Sequence, residues 1–196
     1  MKKIIFFSLT LLLSLVLSSS GCNPQDAPEV GVEINGVIWA TRNVAEPGKF
    51  AAKPEDPGMF YQWNIKKAWK VTDPLGETWN TTPPSNTWDP NNDPCPEGWR
   101  MPTRDDFDAL VASAKTWDEV KKGRTFGDGT NTIFLPAVGW RDHGVTGSLA
   151  FVGVEGVYLS STTALPSVVA LLMTSTTLSV GNSNFLRGSS VRCVKK

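Results

Sequence analysis

The sequence predicts an α+β fold, one domain of short antiparallel strands with one or two helices and long loops, and three observations carry that expectation. The apolar runs are short and rich in Val, Ile, Leu and aromatic residues, as strands are. Helical spacing is strong only once, after Thr103. Between these runs lie most of the 17 glycines and 14 prolines, punctuation too frequent for long helices.

The elements follow in order. Val32 to Ala40 reads as a hairpin, because Asn35-Gly36 supplies the positive φ angles of a tight turn. Gly58 to Trp63 reads as a strand. Residues 66–93 form a long loop carrying Trp69, Trp79 and Trp88, and a loop of that length is either functional or packed by its own aromatics. Thr103 is a suitable N-cap with Asp106 as its reciprocal partner, and Phe107, Leu110 and Val111 then share one helical face. A shorter helical turn is expected from Thr116 to Gly123. Ile133–Ala137, Ala150–Val154, Gly156–Ser160, Val168–Met173, Thr176–Val180 and Ser190–Val194 read as strands, with polar turns at Ser160–Thr163 and Gly181–Asn184.

The N-terminus sets the compartment. Residues 1–21 have a basic start at Lys2 and Lys3, an apolar run from Ile4 to Leu17 and a small-residue end, the form of a secretory signal rather than a membrane span. Ser20-Gly21-Cys22 resembles the end of a bacterial lipobox, although Ser19 stands where an aliphatic residue is usual. The resemblance implies cleavage before Cys22 and a lipid on its thiol, so that residues 22–30 tether the domain (31–196) to a membrane. A lone exposed thiol at the cleavage point of a secreted protein is the weaker reading. With Cys22 lipidated, Cys95 and Cys193 remain as an even pair in an oxidising compartment, most simply a disulfide. Zinc is the alternative, but His143 is the single histidine and no second cysteine lies near either one.

Charge excludes one class of partner. Removing residues 1–21 takes away Lys2 and Lys3, leaving 17 basic against 19 acidic residues and a formal charge of −2. No basic patch stands out, so nucleic acid is not expected as a partner. All eight tryptophans lie between Trp39 and Trp140, which places the heavy core in the first two thirds.

Six segments come in the order seen in one family: Val37-Ile-Trp-Ala-Thr-Arg-Asn43, Tyr61-Gln-Trp63, Cys95-Pro-Glu-Gly-Trp-Arg-Met-Pro-Thr103, Leu135-Pro-Ala-Val-Gly-Trp-Arg141, Leu159-Ser-Ser-Thr162 and Ser190-Val-Arg-Cys-Val194. Across nearly all of its mature length the chain resembles the Fibrobacter succinogenes major paralogous domain family. Leu159 departs from it, standing where that family usually has tryptophan. The resemblance implies a C-type lectin-like fold related to the formylglycine-generating-enzyme domain. It also implies that Trp99, Arg100, Trp140 and Arg141 are mainly scaffold.

Catalysis is not expected. The enzyme branch of that fold uses cysteine thiols just ahead of the Arg-Cys segment, and residues 165–191 contain none. Asp142-His143 sits among glycines and reads as a solvent-facing loop pair. Calcium is a weak candidate at Asp89, Asn91 and Asp93, whose oxygens alternate as in a calcium loop. Pro94 and Arg100 replace the glycine and glutamate that an EF-hand needs, and the sugar-binding triplets of calcium-dependent lectins are absent. No other cofactor is expected.

From Val157 to Ser190 the chain has no Lys, Glu, Asp, Gln, His or Trp, and Arg187 is its one charge. The plain explanation is a buried strand pair with polar turns. The sharper one is a ligand-facing surface on a fixed frame, of the kind some members of these families have diversified by retroelements. Adenine mutagenesis of asparagine-type codons cannot yield Lys, Glu, Gln, Trp or Met, so Met173 would be fixed by the template. The expected ligand-binding residues are Thr163, Leu165, Ser167, Val169, Thr174, Thr176, Ser179, Asn182, Asn184, Phe185 and Arg187, helped by Trp79 and Trp88. The expected protein is therefore a non-catalytic outer-membrane lipoprotein, surface-exposed rather than periplasmic, that binds a protein or glycan. The alternatives are a structural subunit of an envelope or pilus-like assembly and a divergent enzyme on the same fold.

Overall fold

The computed structural model describes residues 28–196. The signal segment and Cys22 lie outside the described residues. Fourteen short strands and one α-helix make the described part mostly antiparallel β structure.

Strands β1 (Val32–Ile34) and β2 (Val37–Trp39) form the expected hairpin, with Asn35 and Gly36 at φ 49° and 81°. β2 continues into β14 (Val194–Lys195) and then β5 (Trp99–Arg100), so the first and last segments of the domain lie side by side in one four-stranded sheet. Cys95 and Cys193 are joined beside it, with Cα atoms 6.0 Å apart and a sequence separation of 98. Closing a loop of that length stabilises by about 4–5 kcal/mol on the chain-entropy account.

Helix α1 (Arg104–Val111) opens on the expected capping box. The Thr103 hydroxyl accepts from the Asp106 N–H, and the Asp106 carboxylate accepts from the Thr103 N–H at 2.7 Å. Phe107 and Leu110 are buried, and Phe107 stacks on Trp39 at 5.6 Å. Arg100 Nη1 donates to Asp106 Oδ2 at 2.7 Å, tying β5 to the helix.

Between Ala114 and Asp118 the chain is a strand, β6, so the helical turn expected from Thr116 to Gly123 is replaced by the end of that strand and a tight turn. Strand β6 pairs with β7 (Gly123–Gly127), which pairs with β8 (Thr132–Pro136). The Asp118 side chain accepts from the N–H groups of Val120 and Lys121, the same chemistry as a helix cap but closing a turn. Small ladders follow: β3 (Phe60–Tyr61) with β4 (Ala68–Trp69), and β9 (Trp140–Arg141) with β10 (Leu149–Ala150).

The largest sheet is β11 (Gly156–Ala164), β12 (Ser167–Met173) and β13 (Leu178–Ser183), in that order. Its turns fall at Leu165-Pro166 and Thr174–Thr177, not at Ser160–Thr163 and Gly181–Asn184. A register irregularity between Leu159 and Thr163 lets β11 run on as one strand, and the buried Ser160 hydroxyl is satisfied there by donating to Val169 O and accepting from Thr162 N–H. On one face of the sheet Tyr158, Leu171, Met173, Leu178 and Val180 pack into the cluster that holds Trp39, Phe107 and Leu110. On the other, Leu159 and Val168 pack with Trp63, Trp99 and Met101.

Two fully buried arginines brace this frame. Arg192 donates to Asn43 Oδ1 and to the carbonyls of Ala40, Thr41 and Phe134; burial pushes its guanidinium down to about 10, against the pull of Tyr158 and Glu29. Arg141 donates to the carbonyls of Lys70, Thr72 and Gly147 and to Asp73 Oδ1. Glu29, inside the stretch read as tether, is buried as well. Its side chain is 4% exposed, pairs with Arg42 at 2.8 Å and accepts from Thr41 N–H and hydroxyl, so the chain is already docked there.

Candidate functional site

The residues expected to bind a ligand divide between the two ends of the β11–β13 sheet. At one end Thr163, Leu165 and Ser167 surround the β11–β12 turn, and Asn182, with Asn184 just beyond β13, lies across the sheet from it. Leu165, Asn182 and Asn184 are exposed there. At the other end Thr174, Thr176 and Ser179 surround the β12–β13 turn. The Thr174 hydroxyl accepts from the N–H groups of Thr176 and Thr177, which fixes that turn in place.

Two expected residues do not belong to any surface. Val169 is 1% exposed and sits in the core, because side chains along β12 alternate between two covered faces. Trp79 is buried against Trp69, ring centroids 4.6 Å apart, so the long loop is packed by its own aromatics at that point. Phe185 and Trp88 are half-buried, and both lean on buried Trp63, at 5.1 and 5.6 Å.

Arg187 is the residue around which a site forms. A cleft of about 380 Å³ opens beside the β12–β13 turn, and Arg187, Glu155, Thr174, Thr177, Ser179 and Leu172 are among its walls. The Arg187 guanidinium lies 4.0 Å from the Trp140 ring centroid. Its Nε is buried and has no hydrogen-bond partner among the described residues. Burial pushes the group below its ordinary range, against the attraction of Asp142 and Glu155. Glu155 is fixed in turn, since Trp140 Nε1 donates to its Oε2 at 2.7 Å. A cation and an anion thus border one cleft without pairing to each other.

Next to the cleft is an aromatic shelf that sequence reasoning missed. Residues Ala150–Val154 were read as a strand, but only Leu149–Ala150 pairs. Phe151 stands at φ 58°, a conformation that bulky residues rarely hold, and its carbonyl accepts from Val154 and Glu155 N–H to close a turn. Phe151 is 51% exposed and stacks on Trp140 at 5.3 Å, with Val152 and Val154 also exposed beside it. Gly153 N–H donates to Ala137 O and Gly139 N–H to Glu155 O, so the turn is held against the frame. The short apolar run from Ala150 to Val154 imitates a strand, and Gly153 was the one signal against it.

Two of the three calcium candidates, Asp89 and Asp93, have oxygens turned toward the backbone. Asp89 Oδ1 accepts from Asn91 N–H, and the two oxygens of Asp93 accept from Cys95 and Met101 N–H. Among the described residues no group of three or more His, Cys, Asp or Glu side chains is arranged to hold a metal. Asp142 and His143 form an exposed pair at 2.9 Å in the loop between β9 and β10. No family model, curated protein or solved structure matches this chain.

Proposed function

We propose that this protein is a non-catalytic lipoprotein of the outer membrane, of the lectin-like family its motifs resemble, and that it binds a protein or glycan at the Arg187 cleft and the Trp140–Phe151 shelf. One observation carries the reading: Arg187 walls the cleft and lies over the Trp140 ring, on which a strained turn stacks the exposed ring of Phe151. Backbone conformations of this kind cluster at ligand-binding sites. The hydroxyls of Thr174, Thr177 and Ser179 add short donors and acceptors that cost little to order.

The absence of catalysis is supported by the chemistry of the cysteines. Cys95 and Cys193 are bonded to each other, so neither offers a thiolate nucleophile. Diversification by a retroelement is part of the same proposal. Its support is the pattern of Val157–Ser190, in which Met173, the one residue that adenine mutagenesis could not have produced, is a core position 1% exposed. A reverse transcriptase and a near-copy of this segment's DNA beside the gene are the expected finding, and their absence removes that part alone.

The binding test is a screen of the mature, disulfide-bonded protein against arrays of host proteins and glycans, repeated with Arg187→Ala and Phe151→Ser. A ligand whose binding falls about tenfold or more in both variants, with melting temperature retained, supports the reading. Ligands that bind the variants and the parent equally would place recognition elsewhere.

A further inference from the structure

A second recess lies in the long loop between β4 and β5. It is an open groove of about 500 Å³, with Trp88 on its wall among Asn80, Thr82, Ser85, Thr87 and Asn92. The loop that forms it is held still by two amides that follow β3. Gln62 Nε2 donates to Asn80 O at 2.7 Å and to Leu186 O at 2.9 Å. Asn64, at φ 58°, donates from Nδ2 to Thr87 O and accepts at Oδ1 from Asp89 N–H. Loops of this length are normally mobile, so this clipping is a form of preorganisation.

We infer that this groove is a binding site for a neutral oligosaccharide. Trp88 presents a partly exposed ring, rigidly backed by Trp63, on which the C–H face of a pyranose can stack. Its neighbours in the wall mix amides and hydroxyls, which give and accept hydrogen bonds without demanding charge, with the apolar rings of Pro83, Pro84 and Pro90 and the side chain of Ile65. Asp89 is the one charged residue there, and its Oδ1 accepts from Asn91 N–H. A smaller recess of about 330 Å³ adjoins across the same Trp88 ring and Pro90, reaching Thr103 and Ser161 and bordered also by Asp93, Arg100 and Lys196. Two recesses sharing one ring fit a chain of several sugar units better than a single one. The inference adds a second site to the ligand-binding reading above and shares with it only the view that the protein binds rather than catalyses.

The test is titration of the isotope-labelled mature protein with linear neutral oligosaccharides of one to six units, from cellulose, mannan and chitin series, following the Trp88 indole and the Asn64 and Asn80 side-chain amides by NMR. Saturable shifts at those groups that tighten with chain length are expected. Thr82→Lys fills the groove from an exposed position without touching the core, and should weaken binding about tenfold. Trp88→Ala should do so more strongly, and Thr82→Lys decides the matter if that variant does not fold. Arg187→Ala should leave the affinity within about twofold. The inference is overturned if no series gives saturable shifts, or if only proline-rich peptides do. It is equally overturned if saccharide binding is lost in Arg187→Ala but kept in Thr82→Lys, a result that would leave the Arg187 reading standing.

Discussion

Arg192 and Arg187 lie on the same C-terminal segment and are treated in opposite ways. Arg192 is fully buried, and each of its three nitrogens donates to an oxygen of the frame. Arg187 is half-buried, rests on Trp140 and keeps Nε without a partner. The same contrast separates the two regions they belong to. The frame uses charge internally, through Arg192, Arg141 and the Glu29–Arg42 pair, and adds a covalent link between its ends. The β12–β13 edge carries short hydroxyls and amides with hardly any charge. Groups in the frame are fixed by their partners and tolerate little change. Groups on the edge are held by the strand beneath them and by hydrogen bonds within their own turn.

The strongest way to break this contrast is to remove the covalent link. Replacing Cys95 and Cys193 together by alanine should cost about 4–5 kcal/mol, measured by denaturant unfolding at neutral pH. An unchanged midpoint would mean that the four-stranded sheet needs no staple. Arg192→Met comes next, at about 3–5 kcal/mol. It leaves the Asn43 side chain and three carbonyls buried without a donor, and methionine has none to offer.

A smaller effect is expected at Asp106, and it depends on pH. Burial alone raises this carboxyl, but the Arg100 guanidinium and the Thr103 N–H and hydroxyl outweigh it and hold the group below its ordinary range. A depressed carboxylate contributes stability that is present above the unfolded value of about 4 and lost as pH falls through the folded one. Asp106→Asn should therefore cost about 1–2 kcal/mol at pH 7, and the gap to the parent should close on acidification below pH about 4. Melting curves of both proteins across that range provide the check. A gap that stays constant would mean that the cap works by shape and not by charge. Asp93 runs the other way, since burial raises it and its two backbone donors do not fully compensate.

How much of this could be read from the sequence follows from how local each cause is. Asn35-Gly36 and the Thr103–Asp106 box were legible because the residues that fix each conformation lie within four positions of one another. The two cysteines were legible from their number and the compartment that the N-terminus predicts, with no geometry needed. Thr116 to Gly123 misled because Asp118 closes a turn with the donors a helix would use, and only the pairing of β6 with β7 decides between them. The shelf at Phe151 was hidden for a related reason: its backbone is set by hydrogen bonds to Ala137 and Gly139, which no local pattern records. Of the candidate site, Arg187, Thr174 and Ser179 were anticipated as residues but the turn that groups them was not, and Trp140, Phe151 and Glu155 reach it through tertiary packing alone.

The sharpest form of the comparison needs only one cross-strand pair. Val169 on β12 stands opposite Asn182 on β13, so the two share a backbone ladder and differ mainly in what covers them. Val169 lies on the central strand, with β11 and β13 on either side and the core around it; Asn182 lies on the sheet's edge strand and is exposed. Val169→Ala removes two buried methyl groups and should cost about 1–3 kcal/mol. Asn182→Ala removes a side chain that water can replace and should stay within about 0.5 kcal/mol. Unfolding both variants in the same denaturant series measures the difference directly. If Asn182→Ala matched the cost of Val169→Ala, the edge strand would be as constrained as the core. A surface like that could not vary its side chains freely, and the proposal of a diversified binding face would fail at its root.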